Sequence, residues 1–250
     1  MGEIKEITLI KPLPKRRTHT RESAHFDISK EEKDSLGGGH EGPGVERVTI
    51  PKGEKRQVNL AYKEYYSEGR AANALREWLK LKAIGVPVPT TFRLVEHDGK
   101  YTGIAMTDLT RGWRDILITT NETKVHTVDM VFATHPETVR KMVAVDLKNE
   151  EWQAGIQEQL ELISEITAQN RVEFSAHDVA SAVFNEDGKV KVVISDMGSV
   201  FLESKKPYKE LKQINLAALG TIKLMIGEAH RLCRDIVKWS KKKDESTISG

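Results

Sequence analysis

The chain has almost no cysteine. Cys233 is the only one in 250 residues, so no internal disulfide can form and a reducing compartment suits it. Long apolar runs are missing as well. The most apolar stretch, Leu216 to Ile226, is short and carries Lys223, which argues against a membrane span. No basic leader and apolar segment follow Met1, so no signal peptide is expected. Glu3 and Glu6 speak against myristoylation of Gly2. Nor does one sign of charge dominate: 39 basic and 37 acidic residues leave a formal net charge of +2, too little for a global field that would attract nucleic acid or a membrane surface. The cluster Lys15-Arg16-Arg17 is nearly balanced by acidic residues later in the same segment. There is no internal repeat, no His-Glu-x-x-His, no paired cysteine and no Gly-x-Ser-x-Gly. The expectation is a cytoplasmic protein that neither spans a membrane nor is built to bind nucleic acid.

What is present is an ordinary globular composition, 38% hydrophobic and 30% charged, on a chain long enough for one large domain or two small lobes. Residues 1–36 read as a polar, partly disordered tail, and residues 241–250 as a second one. Between them, Val45-Glu46-Arg47-Val48-Thr49-Ile50 and Gln57 to Lys63 look like strands joined by a turn at Pro51-Lys52-Gly53. A helix is expected from about Glu68 to Ala83, with Ala71, Leu75, Trp78, Leu79 and Ala83 along one face. Gly85 ends it, and Pro87 and Pro89 prevent its resumption. Thr91 to Glu96 and Tyr101 to Met106 form a second hairpin around His97-Asp98-Gly99-Lys100. From about Thr110 the pattern turns helical, with a long helix over roughly Glu151 to Gln169. Residues 111–149, with Trp113, His126, Asp129 and His135, show no ligand spacing and read as an irregular connection. Sheet first and helices after is an α+β order. It divides into a β-rich N-lobe over residues 37–108 and a trimmed helical C-lobe over residues 109–240, with Met106-Thr107-Asp108-Leu109 at the join.

Two aspartates carry most of the chemistry. Asp178 lies in Ser175-Ala176-His177-Asp178-Val179, and Asp196 opens Asp196-Met197-Gly198 after the β-rich run Val190 to Ile194. Between them, Phe184-Asn185-Glu186-Asp187-Gly188 reads as a hairpin turn, because Asn, Asp and Gly tolerate positive φ. A hairpin brings its ends together, so the two carboxylates should converge. That layout suits phosphoryl transfer, in which one carboxylate orients an acceptor hydroxyl and another holds Mg²⁺ on the phosphates.

The pair resembles the catalytic and metal loops of the protein-kinase-like superfamily, with Asp196-Met197-Gly198 standing where that family has Asp-Phe-Gly. Leu60-Ala61-Tyr62-Lys63 is similar to the family's Val-Ala-Ile-Lys. The order helix-Gly-x-Pro-x-Pro-strand resembles the small-molecule and atypical branches, including aminoglycoside phosphotransferases and RIO kinases. The resemblance implies a two-lobed kinase-like fold that uses ATP and Mg²⁺ to move the γ-phosphoryl group to a hydroxyl acceptor, a protein or a small molecule. It implies Lys63 on the α- and β-phosphates, Asp196 as metal ligand and Asp178 as catalytic base. Glu77, or alternatively Glu68, would be the helix carboxylate that holds Lys63. Gly37, Gly39 and Gly42, in a G-x-G-x-x-G run, would approach the phosphates through their backbone N–H groups.

Several positions depart from the family pattern. Its His-Arg-Asp is Ala176-His177-Asp178 here, the residue two beyond the aspartate is Ala180, and the asparagine that supplies a second metal ligand is Val183. Valine has no lone pair for a hard cation; Ser181 or Asn185 could substitute through a water. Asn215-Leu216-Ala217-Ala218-Leu219-Gly220 is similar to the helix beneath the catalytic loop, with Asn215 replacing an aspartate. Only 52 residues follow Gly198 in the chain of 250, and no Ala-Pro-Glu segment is found among them. These departures leave open an alternative function, a pseudokinase that acts as a nucleotide- or protein-binding module.

Overall fold

The computed structural model describes residues 5–10, 25–28, 34–39, 42–51, 57–97, 100–119, 125–175 and 177–248. The chain is α+β, with an antiparallel sheet toward its N-terminus and mostly helices toward its C-terminus. It divides into two units, Met1–Lys80 with Pro89–Asp108, and Leu81–Val88 with Leu109–Gly250.

In the first unit, β1 (Lys5–Ile10), β2 (His25–Ile28), β3 (Asp34–Gly39), β4 (Gly42–Pro51), β5 (Gln57–Glu64), β6 (Phe92–His97) and β7 (Lys100–Thr107) form one sheet in the order β2-β1-β6-β7-β5-β4-β3. Helix α1 (Glu68–Ala83) connects β5 to β6, and its final residues belong to the second unit. The strands β1 and β2 and the first half of β3 arise inside the segment expected to be a polar tail. Strand pairing is a backbone property, and Lys5-Glu6-Ile7-Thr8-Leu9-Ile10 alternates polar and apolar residues just enough to follow it. Residues directly opposite across a sheet share a face. One row runs Arg47–Ala61–Met106–Phe92 and the next runs Val45–Lys63–Ile104–Leu94. Helix α1 covers this face: Trp78 stacks on Phe92 with ring centroids 5.5 Å apart and donates its indole N–H to Pro89 O at 2.8 Å. The other face carries a separate buried cluster of Val48, Leu60, Tyr62, Val95 and Ala105. Gly103 permits the close pairing of β5 and β7, since a Cβ there would lie 2.5 Å from Lys63 O.

One row of the α1 face holds a charge pair. Arg47 Nε donates to Asp108 Oδ2 at 2.7 Å, with only 4% and 1% of the two side chains exposed. Desolvating two ions is costly, and their mutual attraction offsets part of that cost.

The helical unit begins at the end of α1. Gly85, at φ +84°, terminates the helix as its sequence predicts. Its N–H donates to Lys82 O and that of Val86 donates to Leu81 O, the paired bonds of a Schellman cap. After Asp108 the chain makes a left-handed turn at Arg111, Gly112 and Trp113, all at positive φ. For non-glycine residues this costs about 1–2 kcal/mol each. The turn is held by Arg111, which grips buried Asp115 through two bonds of 2.5 and 2.6 Å, and by burial of Trp113.

Next come β8 (Ile116–Thr119), α2 (Val125–Thr134), α3 (Pro136–Ala144) and α4 (Glu150–Gln169), followed by β9 (Glu173–Phe174), β10 (Ala180–Phe184), β11 (Val190–Ile194), β12 (Val200–Phe201) and α5 (Tyr208–Ile248). Strands β11, β10 and β8 form one sheet, and β12 pairs with β9. The side chain of Asn149 caps α4 by accepting from Trp152 N at 2.9 Å. Gln159 of α4 bonds both Val190 O and Val192 N, which satisfies the open edge of β11. Helix α5 buries Leu211, Asn215, Ala218, Leu219, Ile222, Ile226, Ala229, Cys233 and Ile236 at helical spacing. It continues to Ile248, through most of the second expected tail; Lys and Glu are good helix formers even without burial. None of the helices among the described residues is long and apolar enough to cross a membrane.

Two outcomes follow. Asp108→Ala leaves Arg47 as a buried cation without this partner and is expected to destabilise the protein by about 3–5 kcal/mol, whereas Arg47→Met with Asp108→Leu recovers most of that loss; urea unfolding measures both. Burial pushes the Cys233 thiol up to about 12, so a thiol reagent at pH 8 should label it only after denaturant is added.

Candidate functional site

The sequence-predicted site residues fall into two groups, one in each unit. In the first unit, the glycine run forms the β3–β4 hairpin itself rather than a loop ahead of the first strand. Gly37 pairs with Val45 and Gly39 with Gly42, with register shifts at Ser35/Gly37 and Gly37/Gly39. Glycine suits such irregular pairing because it lacks a Cβ. His40 and Glu41 lie outside the described residues. Val45 in turn pairs with Lys63, so the glycine hairpin and the lysine occupy one row of the sheet.

Lys63 sits on the interior strand β5, between β7 and β4, with 8% of its surface exposed, and its Nζ lies 5.2 Å from the centre of the Tyr65 ring. A lysine so enclosed has been taken from water by design of the sheet rather than left at a solvated strand end. Glu77 is buried on the face of α1 that also carries Ala74, Trp78 and Leu81. Its Oε1 is 3.4 Å from Arg70 Nη1. Glu68, the other candidate, is exposed in the first turn.

In the second unit, Asp178 and Asp196 are brought together by the hairpin that the sequence predicts. Asn185 Oδ1 accepts from Asp187 N and Lys189 N, and Gly188 takes φ +83°. The ladder then runs from Phe184↔Val190 to Ala180↔Ile194. At its base the N–H groups of Ser195 and Asp196 both donate to Val179 O, at 3.0 and 3.1 Å. The residue after Asp178 is thus bonded directly to Asp196. Asp196 Oδ1 accepts from Gly198 N at 2.9 Å, and Asp178 Oδ1 accepts from Ser199 Oγ at 3.1 Å.

The loop before Asp178 is supported from α5. Asn215, fully buried, accepts from Phe174 N and donates to Val172 O and to Thr167 Oγ1. Thr221 Oγ1 donates to His177 O at 3.1 Å. The far end of the hairpin is tied down as well: Glu186 N donates to Asp115 Oδ1 and Lys141 Nζ to Glu186 O. Among the residues considered for a second metal position, Val183 is buried and Asn185 is used in the turn. Ser181 Oγ shares a hydrogen bond with Ser195 Oγ at 2.6 Å. Ala176 lies outside the described residues.

No group of three or more His, Cys, Asp or Glu side chains able to hold a metal ion is found among the described residues. A Mg²⁺ shared with substrate phosphates would need only one or two protein carboxylates, the remaining ligands being phosphate and water, and Asp178 and Asp196 are carboxylates held at the base of one hairpin. Sequence reasoning missed Ser199, Thr221 and Asp115. Their contacts join residues 21, 44 and 71 positions apart, and no local spacing announces them. No protein-family model and no curated protein matches this chain.

The segment after Asp196 is clasped to β9. Lys206 Nζ and Ser204 Oγ both donate to the Glu173 carboxylate, and Arg171 Nε donates to Ser204 O. Lys206 foremost, then Ser204, holds the Glu173 carboxyl below the usual glutamate range. A carboxyl lowered on folding stabilises above its unfolded value, about 4.3, and that contribution is lost as pH falls through the folded value. The unfolding midpoint should therefore drop less between pH 5 and pH 3 in Glu173→Gln than in the unaltered protein, as followed by circular dichroism; identical pH profiles would refute the clasp.

Proposed function

We propose that this chain is an atypical kinase-like phosphotransferase, with Asp178 and Asp196 as its reacting-end carboxylates. The observation that carries this reading is the anchoring of both aspartates at the base of one hairpin, through the bonds of Ser195 and Asp196 to Val179 O. Two carboxylates so fixed suit a reaction in which catalysis is chiefly positioning and charge stabilisation. Support comes from the first unit, where a glycine hairpin, a buried lysine on an interior strand and a helix with a buried glutamate follow one another in the order the resemblance implies.

The roles are assigned by chemistry. Asp178 orients the acceptor hydroxyl and takes its proton. Asp196 is the residue to hold Mg²⁺, and Lys63 supplies a positive charge for the α- and β-phosphates. Bound Mg²⁺ neutralises charge on the transferring phosphoryl group. Glu77, the buried carboxylate of α1, is favoured over exposed Glu68 as the partner of Lys63, since burial strengthens the attraction between charges. A two-lobed kinase-like arrangement and a hydroxyl-bearing acceptor belong to the same proposal.

A second reading, a pseudokinase that binds nucleotide or a partner protein, is favoured by one observation. Neither Val183, 7% exposed in the middle strand of its sheet, nor Asn185 in the turn can serve as the second metal ligand.

Thermal unfolding with ATP and Mg²⁺ separates the readings. At about 100 times the dissociation constant a ligand adds roughly 2.7 kcal/mol, a rise of about 5–10 °C for a chain of this size. The rise should require Mg²⁺ and be lost in Lys63→Ala and Asp196→Ala. Asp178→Asn should keep the rise and lower turnover by about 100-fold or more. A rise without turnover supports the binding module, and no rise at saturating ATP overturns both readings.

A further inference from the structure

Two adjacent residues, Gly198 and Ser199, each hold one of the two carboxylates. Gly198 N–H donates to Asp196 Oδ1 at 2.9 Å, and Ser199 O–H donates to Asp178 Oδ1 at 3.1 Å. Ser199 also reaches the start of the same loop: its carbonyl accepts from Ser175 N at 2.9 Å and from Ser175 Oγ at 3.2 Å. Only 9% of Ser199 is exposed, so little water competes for these bonds.

We propose that Ser199 is a positioning residue for Asp178. The inference rests on the phosphotransferase reading of the aspartate pair and adds to it a group that directs the carboxylate. An aspartate side chain has two rotatable bonds, and a carboxylate serving as base must face its acceptor before the reaction begins. Ser199 supplies a donor from the turn that follows Asp196, so a single short turn fixes both carboxylates. Its carbonyl, by holding Ser175, keeps the segment that carries Asp178 at the same distance from that turn. Any displacement of the metal-loop residues therefore changes the aim of Asp178, which couples the two functions through one peptide.

The test uses the full chain, ATP and Mg²⁺, with water as the acceptor and released phosphate as the readout. Ser199→Ala is expected to lower kcat by about 10–100-fold, the value of one hydrogen bond to a charged group. The KM for ATP should stay unchanged, and the urea transition should stay cooperative with the variant folded at the assay condition. Ser199→Thr, which keeps the hydroxyl, should recover most of the rate. In an Asp178→Asn background, Ser199→Ala should cost nothing more, because the group it positions is already gone. Unchanged kcat in Ser199→Ala, or an equal loss in both backgrounds, overturns the proposal. If the unaltered chain releases no phosphate, the phosphotransferase reading fails, and with it any catalytic meaning for this contact. The ¹³C carboxyl resonance of Asp178 then decides the contact itself: displacement in Ser199→Ala and return in Ser199→Thr sustain the positioning role in a binding site, and an unmoved resonance removes it.

Discussion

Asn215 is fully buried on α5, and its amide serves three partners at once, the N–H of Phe174, the carbonyl of Val172 and the hydroxyl of Thr167. These groups would otherwise be sealed from water without this partner, at about 1–3 kcal/mol each. Through them α5 grips the end of α4 and the strand β9, and β9 pairs with β12. The short strand pair brackets the turn that holds both aspartates. An amide is well suited to this position. It donates as well as accepts, which a carboxylate cannot do, and it enters a fully buried place without the cost of desolvating a charge. A buried amide thus supports this segment without a buried charge.

The same economy of polar contacts recurs along the second unit. The aspartate hairpin is fixed at its base by Val179 O, at its tip by Asp115 and Lys141, and along its edge by Gln159. Strand β10, buried throughout, lies between β11 and β8. A hairpin held at every side has few ways to relax, so the side chains at its base keep their geometry. Rigid support is what a site needs when most of its chemistry is orientation. The left-handed turn at residues 111–113 fits this picture: its backbone strain is held by the Arg111–Asp115 grip, and Asp115 in turn receives the hairpin tip.

In the first unit the polar groups are placed by sheet register. Arg47 and Lys63 lie in neighbouring rows on the face that α1 covers, and both are buried. Arg47 is matched by Asp108 in a close pair. Register alone decides that these cations face the helix rather than solvent, since a shift of one residue would send each to the opposite face.

The sequence by itself determined those features that depend on neighbours along the chain. Gly85 with Pro87 and Pro89 ended α1, Asn185 with Gly188 turned the aspartate hairpin, and apolar spacing marked α1, although Leu79 and Ala83 of the expected face are exposed and Leu81 is buried instead. Each follows from the φ preference of a residue or the spacing of a face, which are local. Composition misjudged the two polar ends, because strand pairing in β1 to β3 and helix continuation to Ile248 draw on backbone hydrogen bonds that polar side chains do not prevent. The tertiary structure alone decided that Ser199 meets Asp178, that Asn215 and Thr221 hold the loop from beneath, that Asn185 is spent in the turn, and that Arg47 and Asp108 are buried together. A hydrogen bond between residues far apart in the chain depends on how strands and helices pack, and packing is a property of the folded whole that no short stretch of sequence contains.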